Sequence, residues 1–307
     1  MGIIAFENVS KEYNGAQVLK LCSFQIKQGE ACGIIGPSGC GKTTILKILS
    51  GLSAPTSGRI LLNGINAADA ILKNKKTIGY VFQESSLYDE LTIFENFVYF
   101  ASLYGMSKKV ALERGARLLK IVGMEDKGDF KVSSLSGGMK KRADIACSIL
   151  HNPELLILDE PLAGLDPIMR KQIIELIKKI NISGITLVIA DHLLSEIQGL
   201  CSRIIIIKQG KVVIEGTIDE LHKKCLQGDK LHIKTRNKLY PQLVEILKMA
   251  QGIISVNYTE QELVILTSNV HETLVIILVG LKKIGDVVLD IDFVQPTLED
   301  FFCYFEG

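Results

Sequence analysis

The sequence predicts an α/β fold, in which helices cover both faces of a parallel β-sheet and a smaller α+β domain follows. Three runs, 155–158, 185–190 and 203–207, are almost continuously apolar without alternation, which is typical of strands buried on both faces. A fourth apolar run, 32–35, leads into a glycine-rich loop and then into apolar residues at helical spacing. Strands that alternate with helices in this way predict a parallel sheet.

Length and composition favour a folded protein. The 307 residues are enough for about two domains with buried cores, and 47% of them are hydrophobic against 22% charged. With 35 basic and 34 acidic residues the formal net charge is +1, so no nucleic-acid partner is indicated. We interpret the short basic runs 73–76 and 140–142 as solvated surface. Apolar runs such as 274–278 are far shorter than the ~18 residues of a membrane span, so we expect that the chain does not cross a bilayer by itself.

Cysteine usage and the N-terminus predict a cytoplasmic protein. The seven cysteines include no Cys-x-x-Cys pair, which favours reduced thiols in a cytosol over a zinc site or a disulfide framework. The first residues lack the basic and apolar regions of a signal peptide.

Two regions differ from the predicted core. Residues 1–30 contain short strands at 6–9 and 21–26 around the turn dipeptide Asn14-Gly15. Residues 84–150 are mostly helical in pattern. At their start lies a cluster of aromatic side chains: Phe82, Tyr88, Phe94, Phe97, Tyr99, Phe100 and Tyr104. The cluster is either the core of a small helical subdomain or a groove that receives a partner's helix, and both can hold at once.

A second domain is predicted at residues 229–307, after a first domain at 1–222. Its pattern is strand, helix, strand, strand, helix, strand, which matches the split βαβ, ferredoxin-like arrangement. The first helix is expected at 239–250, and a last short helix is expected to start at Pro296-Thr297.

Residues 36–43 match the pattern G-x-x-x-x-G-K-[ST], between a buried strand and a helix. The glycines let the backbone curl, so that several N–H groups and the start of the helix point at one anion. Lys42 adds a positive charge at the β- and γ-phosphates, and the Thr43 hydroxyl is a natural Mg²⁺ ligand. The predicted nucleotide-binding residues of this loop are Gly36, Pro37, Ser38, Gly39, Cys40, Gly41, Lys42, Thr43 and Thr44.

Two carboxylates follow the apolar run at 155–158. Asp159 and Glu160 are expected at the carboxyl edge of the sheet, where ligands bind in such folds. Asp159 is the candidate ligand of Mg²⁺, directly or through water, and Glu160 would orient or deprotonate the attacking water. The alternative is that both acids merely cap the strand.

A phosphate loop with an acidic strand suits a kinase or a GTPase equally well, and residues 135–139 distinguish this chain from both. Ser136 is a good N-cap, and Gly137 and Gly138 expose backbone N–H groups before a further helix. Because the first loop already holds the phosphate tail, this second anion cradle makes most sense if it faces the nucleotide of another copy.

With these motifs in order, residues 1 to about 222 resemble the ATP-binding cassette (ABC) ATPases. The resemblance implies a P-loop NTPase core with an antiparallel β subdomain and a helical subdomain at about 84–150. It also implies ATP and Mg²⁺ as cofactors, and two cassettes that close head-to-tail on two ATP molecules. The partner is then a second copy of the chain or a homologous cassette.

The resemblance assigns roles to single residues. Tyr13 matches the aromatic residue that stacks on adenine, and Gln83 matches the glutamine that senses Mg²⁺ and contacts the transmembrane partner. Ser136 to Gly138 resemble the signature that contacts the opposite ATP. Asp166 resembles the loop residue that links the two sites, and His192 matches the switch histidine at the γ-phosphate.

The implied catalytic residues are Lys42, Glu160 and His192, and the implied metal ligands are Thr43, Gln83 and Asp159. Met139 and Leu162 stand where the family usually has Gln and Thr. Neither change removes an N–H donor or a carboxylate, so catalysis is expected to survive.

The leading interpretation is the ATP-hydrolysing motor of an ABC transporter, bound to separate transmembrane permease subunits at the inner face of the cell membrane. The ending at 296–302 resembles the tail of cassettes that serve drug, polysaccharide or lipid exporters. The alternative is a soluble ABC ATPase in translation, DNA maintenance or cofactor assembly, although the second cassette and the long coiled coil usual in two of these classes are absent. A regulatory small-molecule module at 229–307 is compatible with the leading interpretation.

One thiol lies inside the phosphate loop. Backbone N–H groups and a helix N-terminus near Cys40 are expected to stabilise a thiolate and lower the thiol pKa below its usual ~8.5. The alternative is that the side chain points into the sheet and behaves as an inert small hydrophobe.

Overall fold

The backbone divides into two units, Met1–Ile218 and Asp219–Gly307. The computed structural model describes residues 2–62, 64–66, 77–192, 194–225, 229–248 and 250–294. In chain order, the elements of the first unit are β1 (Gly2–Tyr13), β2 (Ala16–Lys27), β3 (Ala31–Ile35), α1 (Lys42–Leu49), β4 (Ser57–Leu62), β5 (Ile65–Asn66), β6 (Ile78–Val81), α2 (Ile93–Leu103), α3 (Lys108–Ile121), α4 (Gly137–Ser148), β7 (Leu155–Asp159), α5 (Pro167–Ile182), β8 (Thr186–Asp191), α6 (Leu194–Gln198), β9 (Arg203–Lys208) and β10 (Lys211–Thr217). Helix α7 (Ile218–Cys225) follows.

The first sheet is antiparallel, with strand order β2-β1-β4-β5. Asn14 and Gly15 turn the chain between β1 and β2 with φ angles of 50° and 82°, the left-handed backbone that this dipeptide favours. The predicted hairpin is therefore confirmed, but its strands are longer than expected. Asn8 and Leu21 also have positive φ and lie where the register shifts, so they bend the strands without ending them.

The central sheet has six strands in the order β10-β9-β3-β8-β7-β6. All its pairs are parallel except β9 with β10. Every residue of β3, β7 and β8 is buried, as their unbroken apolar runs predict. Strand β3 lies between β8 and β9, so the loops that follow β3, β7 and β8 meet at one edge of the sheet. That edge carries the candidate site.

Helices α2, α3 and α4 account for most of the segment predicted as helical. Thr92 caps α2 and forms a capping box with Glu95, while Ser107 and Ser136 cap α3 and α4. Local side chains thus set where each of these helices begins.

The second unit contains β11 (Asp229–Thr235), α8 (Tyr240–Leu247), β12 (Ile253–Tyr258), β13 (Leu263–Thr267), α9 (Val270–Ile284) and β14 (Val288–Val294). Its antiparallel sheet has the order β12-β13-β11-β14, so the predicted split βαβ arrangement is confirmed. Helix α8 is shorter than expected and ends at Leu247, with Lys248 as its C-cap. The helix predicted from Pro296-Thr297 lies outside the described residues.

Candidate functional site

The phosphate loop leaves β3 at the edge of the central sheet. Gly39 and Gly41 have left-handed backbone, with φ angles of 78° and 114°, which curls the loop. Helix α1 begins directly after it, and Gly41 offers no side chain to cap the first N–H groups. The Lys42 ammonium is buried and donates to the carbonyl oxygens of Gly36, at 2.7 Å, and Pro37, at 3.2 Å. The uncapped start of α1 and the buried Lys42 ammonium therefore lie together in this loop, which is the combination that an anion site uses.

The shape of this loop depends on a distant hairpin. A Cβ atom on Gly36 would lie 2.2 Å from the carbonyl oxygen of Ile207 in β9, so only glycine fits there. The backbone N–H of Gly210, in the turn between β9 and β10, donates to the carbonyl oxygen of Cys40 at 3.1 Å. The end of this hairpin therefore packs directly against the loop.

Asp159 and Glu160 lie at the same edge, at the end of β7. The buried carboxylate of Asp159 accepts hydrogen bonds from the Tyr80 hydroxyl, at 3.3 Å, and from the Thr43 side chain. Burial raises the pKa of Asp159, and the nearby charge of Glu160 adds to this rise. Glu160 has a left-handed φ of 44°, and its N–H donates to the carbonyl oxygen of Ala190 in β8.

The Glu160 carboxylate lies between two polar side chains from other loops. The Gln83 amide Nε2 donates to Glu160 Oε2 at 3.1 Å. On the other side, His192 Nδ1 lies 3.6 Å from the same oxygen and 3.4 Å from Asp191 Oδ1. The backbone N–H of His192 also donates to Asp191 Oδ1, which fixes the start of this loop. A carboxylate held in this way at a phosphate site can orient a water and accept its proton.

The predicted metal ligands form a suitable set for Mg²⁺. Thr43 supplies a hydroxyl and Asp159 a carboxylate, and the hydrogen bond between them shows that they are neighbours. Because the Gln83 nitrogen donates to Glu160, the amide oxygen of Gln83 is left available as a further candidate oxygen ligand. Hard oxygen ligands beside bound phosphates are the usual environment of Mg²⁺ in proteins.

Two other predicted residues, Tyr13 and Asp166, lie apart from the group formed by Gln83, Glu160 and His192. Tyr13 is exposed at the end of β1, with its hydroxyl 3.3 Å from Ser53 Oγ and the Lys11 ammonium 4.7 Å from its ring centre. Asp166 is the N-cap of α5, where its Oδ1 accepts from the N–H groups of Ile168 and Met169, each at 2.9 Å. A capping role explains Asp166 within one copy.

The signature segment lies at the start of α4. Ser136 caps the helix, and its hydroxyl accepts from the N–H of Met139 at 3.4 Å. A Cβ atom on Gly137 would meet open space, whereas one on Gly138 would lie 2.6 Å from the sulfur of Met169. Gly138 therefore allows close packing on α5, and Gly137 leaves the N-terminus of α4 accessible.

The expected activation of Cys40 is wrong. Its side chain is 6% exposed and lies beneath the loop, where a Cβ on Gly36 would come within 2.5 Å of its sulfur. Burial raises the pKa of the Cys40 thiol, and this outweighs the opposing charge of Lys42. The side chain behaves as the small hydrophobe of the alternative.

The aromatic cluster is partly the core of the helical segment and partly exposed surface, so its role as core is confirmed for its buried members and the groove for a partner stays a prediction. Phe97 is fully buried, whereas Phe82 is 40% exposed and Tyr88 and Tyr99 are also exposed. A cavity of about 670 Å³ is lined by Phe82, Phe100 and Tyr104 of this cluster, and Tyr104 stacks on His151 in its wall with 3.9 Å between the ring centres. The lining of this cavity includes Ile48, Leu52, Tyr80, Phe82, Phe100, Tyr104 and His151.

Sequence reasoning missed two polar residues, Tyr80 and Asp144, and misread a third, Lys141. Lys141 was expected on a solvated basic surface, but it is 6% exposed and its ammonium is hydrogen-bonded inside the first unit. Asp144 is 1% exposed, and Tyr80 reaches Asp159 from β6. A signal existed for two of them, because Lys141 and Asp144 are three residues apart on one helix face. The other basic run, 73–76, lies outside the described residues.

Within the described residues, none of the helices has the length and apolarity needed to cross a membrane. The chain nevertheless matches the family model described as ABC transporter over residues 19–163. It is 34% identical over 303 residues to the linearmycin resistance ATP-binding protein LnrL of Bacillus subtilis strain 168, covering 98% of this chain and 97% of the relative. It is 38% identical over 230 residues to the Nod factor export ATP-binding protein I of Burkholderia orbicola strain AU 1054, covering 75% and 76%.

A solved structure agrees with these relatives. The dimeric ATP-binding cassette MJ0796, in a post-hydrolysis state bound to ADP and Pi, has a TM-score of 0.63 at 32% identity and covers 70% of this chain and 98% of its own. The alternative of an ABC ATPase outside transport gains no support from these matches. The chain therefore belongs to the ABC transporter family, as one of its ATP-binding subunits, which are ATPases that drive transport.

Proposed function

We propose that this chain is the motor of an exporter, which hydrolyses ATP with Mg²⁺ in a head-to-tail dimer and drives separate membrane subunits at the inner face of the cell membrane. One observation carries the catalytic part of this proposal. The Glu160 carboxylate lies between Gln83 and His192, at the sheet edge that also carries the phosphate loop.

In the proposed reaction, the loop at 36–43 binds the β- and γ-phosphates through its N–H groups and Lys42. Glu160 accepts a proton from the attacking water while the Gln83 amide holds the carboxylate in place. The water oxygen bonds to the γ-phosphorus, and the bond to the bridging oxygen breaks, so that ADP leaves. We propose that His192, whose Nδ1 lies 3.6 Å from Glu160 Oε2, donates a hydrogen bond to the γ-phosphate.

The proposed ligands of Mg²⁺ are Thr43, Asp159 and Gln83. A bound Mg²⁺ would neutralise negative charge on the phosphates as the bond to the leaving group breaks. The hydrogen bond from Tyr80 keeps the Asp159 carboxylate oriented at the edge of the sheet.

The start of α4 supports the proposed dimer. The N-terminus of α4 is open at Gly137, and the similar cassette MJ0796 was solved as a dimer. We propose that Ser136 to Gly138 contact the γ-phosphate of ATP held by a second copy. Asp166, beyond its capping role, would connect the two sites, and the exposed ring of Tyr13 would stack on adenine.

The exposed face of the aromatic cluster, together with the cavity that Phe82 lines, is the proposed docking site of a membrane subunit. Exposed aromatic side chains next to Gln83 are suited to hold a partner's helix and to transmit its movement to the nucleotide. The test is a pull-down of the membrane subunits with Phe82→Ser and Tyr99→Ser variants. Ile182→Ser, at an exposed apolar position on α5, is the matched control. We expect the first two to lose the partner and the control to keep it, and equal recovery from all variants would contradict the proposal.

The direction of transport is proposed from the relative that matches the whole chain. The similarity to the resistance protein LnrL extends over 98% of this chain and so includes residues 229–307, which we propose as an accessory domain of an exporter. Deleting the chain in its host should increase sensitivity to antimicrobial compounds. The wild-type chain should restore resistance and Glu160→Gln should not. Unchanged sensitivity across a broad panel would contradict export.

A further inference from the structure

Helix α4 carries two buried charged side chains on one face. Lys141 is 6% exposed and Asp144 is 1% exposed. They are three residues apart, so both point to the same side of the helix. Burying an ammonium or a carboxylate is costly unless hydrogen bonds compensate it, so the partners of these groups matter.

Lys141 holds the start of the Gln83 segment through its backbone. Its ammonium donates to the carbonyl oxygens of Phe82 and Gln83, each at 3.0 Å. Burial lowers the pKa of Lys141, whereas the charges of Asp144 and Asp159 raise it. Because the accepting atoms belong to the backbone, the hydrogen bonds from Lys141 fix the orientation of the Gln83 backbone and therefore the direction of its side chain.

Asp144 holds the other end of the same segment. Its Oδ1 accepts from the Ser86 hydroxyl at 2.8 Å, whereas its Oδ2 has no hydrogen-bond partner among the described residues. Two side chains of α4 therefore hold both ends of residues 82–86. The middle of this segment, from Gln83 to Ser85, is exposed.

We propose that Lys141 is a positioning residue for Gln83, which couples the orientation of α4 to the hydrogen bond between Gln83 and Glu160. Ser136 caps helix α4, and one turn into the helix Lys141 contacts the backbone from which Gln83 Nε2 reaches Glu160 at 3.1 Å. A movement of α4 is thereby transmitted to the Glu160 carboxylate through Lys141 and Gln83. This inference rests on the catalytic role proposed for Glu160.

The first test compares Lys141→Met with Lys140→Met in steady-state ATP hydrolysis. Lys140 is the next residue of the helix, and its ammonium pairs with Asp89 at 2.7 Å, so its loss removes the same charge without touching residues 82–86. We expect Lys141→Met to lower kcat about tenfold with KM changed less than twofold, and Lys140→Met to leave both near wild type. Lys141→Arg, which keeps several donors, should restore most of kcat. Equal effects of the two methionine variants would overturn the proposal.

The second test separates positioning from general stabilisation by a double-mutant cycle with Gln83→Ala. If Lys141 acts through Gln83, the double variant has the kcat of Gln83→Ala alone, within about twofold. If the double variant instead has a kcat lowered by the product of the two single reductions, Lys141 acts independently of Gln83 and the proposal is overturned. An unchanged kcat in Gln83→Ala would refute the role of Gln83, whereas a normal kcat in Glu160→Gln would refute the proposed function itself. If Lys141→Met does not fold, Lys141→Gln replaces it in the cycle.

Discussion

Each of the two units contains a buried aspartate whose carboxyl pKa is shifted, and the two shifts have opposite directions. In the first unit, burial raises the pKa of Asp144 to about 6, although Ser86 and the charge of Lys141 oppose the rise. In the second unit, burial also disfavours the charge of Asp286. There, however, the N–H groups of Asn237, Leu239 and Val287 and the Thr235 hydroxyl hold its pKa below the usual value.

The difference follows from the number of hydrogen-bond donors around each carboxylate. Asp286 satisfies both of its oxygens within one turn region and so stabilises the second unit. Asp144 leaves one oxygen without a partner among the described residues, and it lies beneath the segment that carries Gln83. In the first unit, an aspartate with one oxygen unpaired in the part of the chain that the structure describes thus lies beside the residues of the proposed ATP hydrolysis. In the second unit, the fully hydrogen-bonded aspartate has a structural role.

Glu160→Gln tests the functional side of this comparison and should have the largest effect. The glutamine keeps the shape but cannot accept the proton, so we expect ATP hydrolysis to fall at least about 100-fold while ATP still binds. A stable dimer should then appear with ATP and Mg²⁺ in size-exclusion chromatography. A monomer at micromolar concentration, also after chemical crosslinking, would contradict the head-to-tail dimer.

Asp286→Ala tests whether the fully hydrogen-bonded aspartate stabilises the second unit. Removing the acceptor of four hydrogen bonds should lower the free energy of unfolding of the second unit by about 2–4 kcal/mol. The measurement is denaturant unfolding followed by hydrogen exchange in peptides from 229–294. Because the folded pKa is lowered, the stability contributed by Asp286 is present at neutral pH and lost as the pH falls below about 4. A destabilisation that persists unchanged at pH 3 would argue against a charged Asp286.

Asp144→Asn should change the pH dependence of stability in the opposite direction. Between about pH 4 and 6 the folded chain holds a proton on Asp144 that the unfolded chain has released, so stability falls as the pH rises through this range. The stability of the wild type relative to Asp144→Asn should therefore decrease by an amount on the order of 2 kcal/mol from pH 4 to pH 7. The measurement is urea unfolding of both proteins across this range. A constant difference would mean that Asp144 does not titrate there.

Cys40 should give the smallest effect, because its thiol is buried and its pKa is raised. We expect slow maleimide labelling at pH 7.5 that changes little when ATP is added. Peptide mass spectrometry measures the labelling, with the denatured chain as the fully labelled control. Fast labelling of the folded chain that ATP blocks would restore the original expectation of an activated thiol.

Local patterns in the sequence predicted most of the fold and much of the candidate site. The loop at 36–43 and the carboxylates after β7 depend on strand–loop–helix order, which is visible in the sequence. The roles of Lys141 and Cys40 could not be read in this way. For Lys141, the deciding fact is that α4 packs over residues 82–86, and for Cys40 it is that the thiol points beneath the loop. Both facts arise from tertiary packing between distant segments.

The position of β3 has a consequence for synthesis on the ribosome. Ile35 pairs with Asp191 of β8 on one side and with Ile206 of β9 on the other, and Gly36 packs against Ile207. The strand that carries the phosphate loop is made early, yet both of its neighbours emerge much later. A nascent chain shorter than about 210 residues thus lacks the contacts that shape the nucleotide site, and ATP can stabilise the growing chain only after the β9–β10 hairpin has emerged.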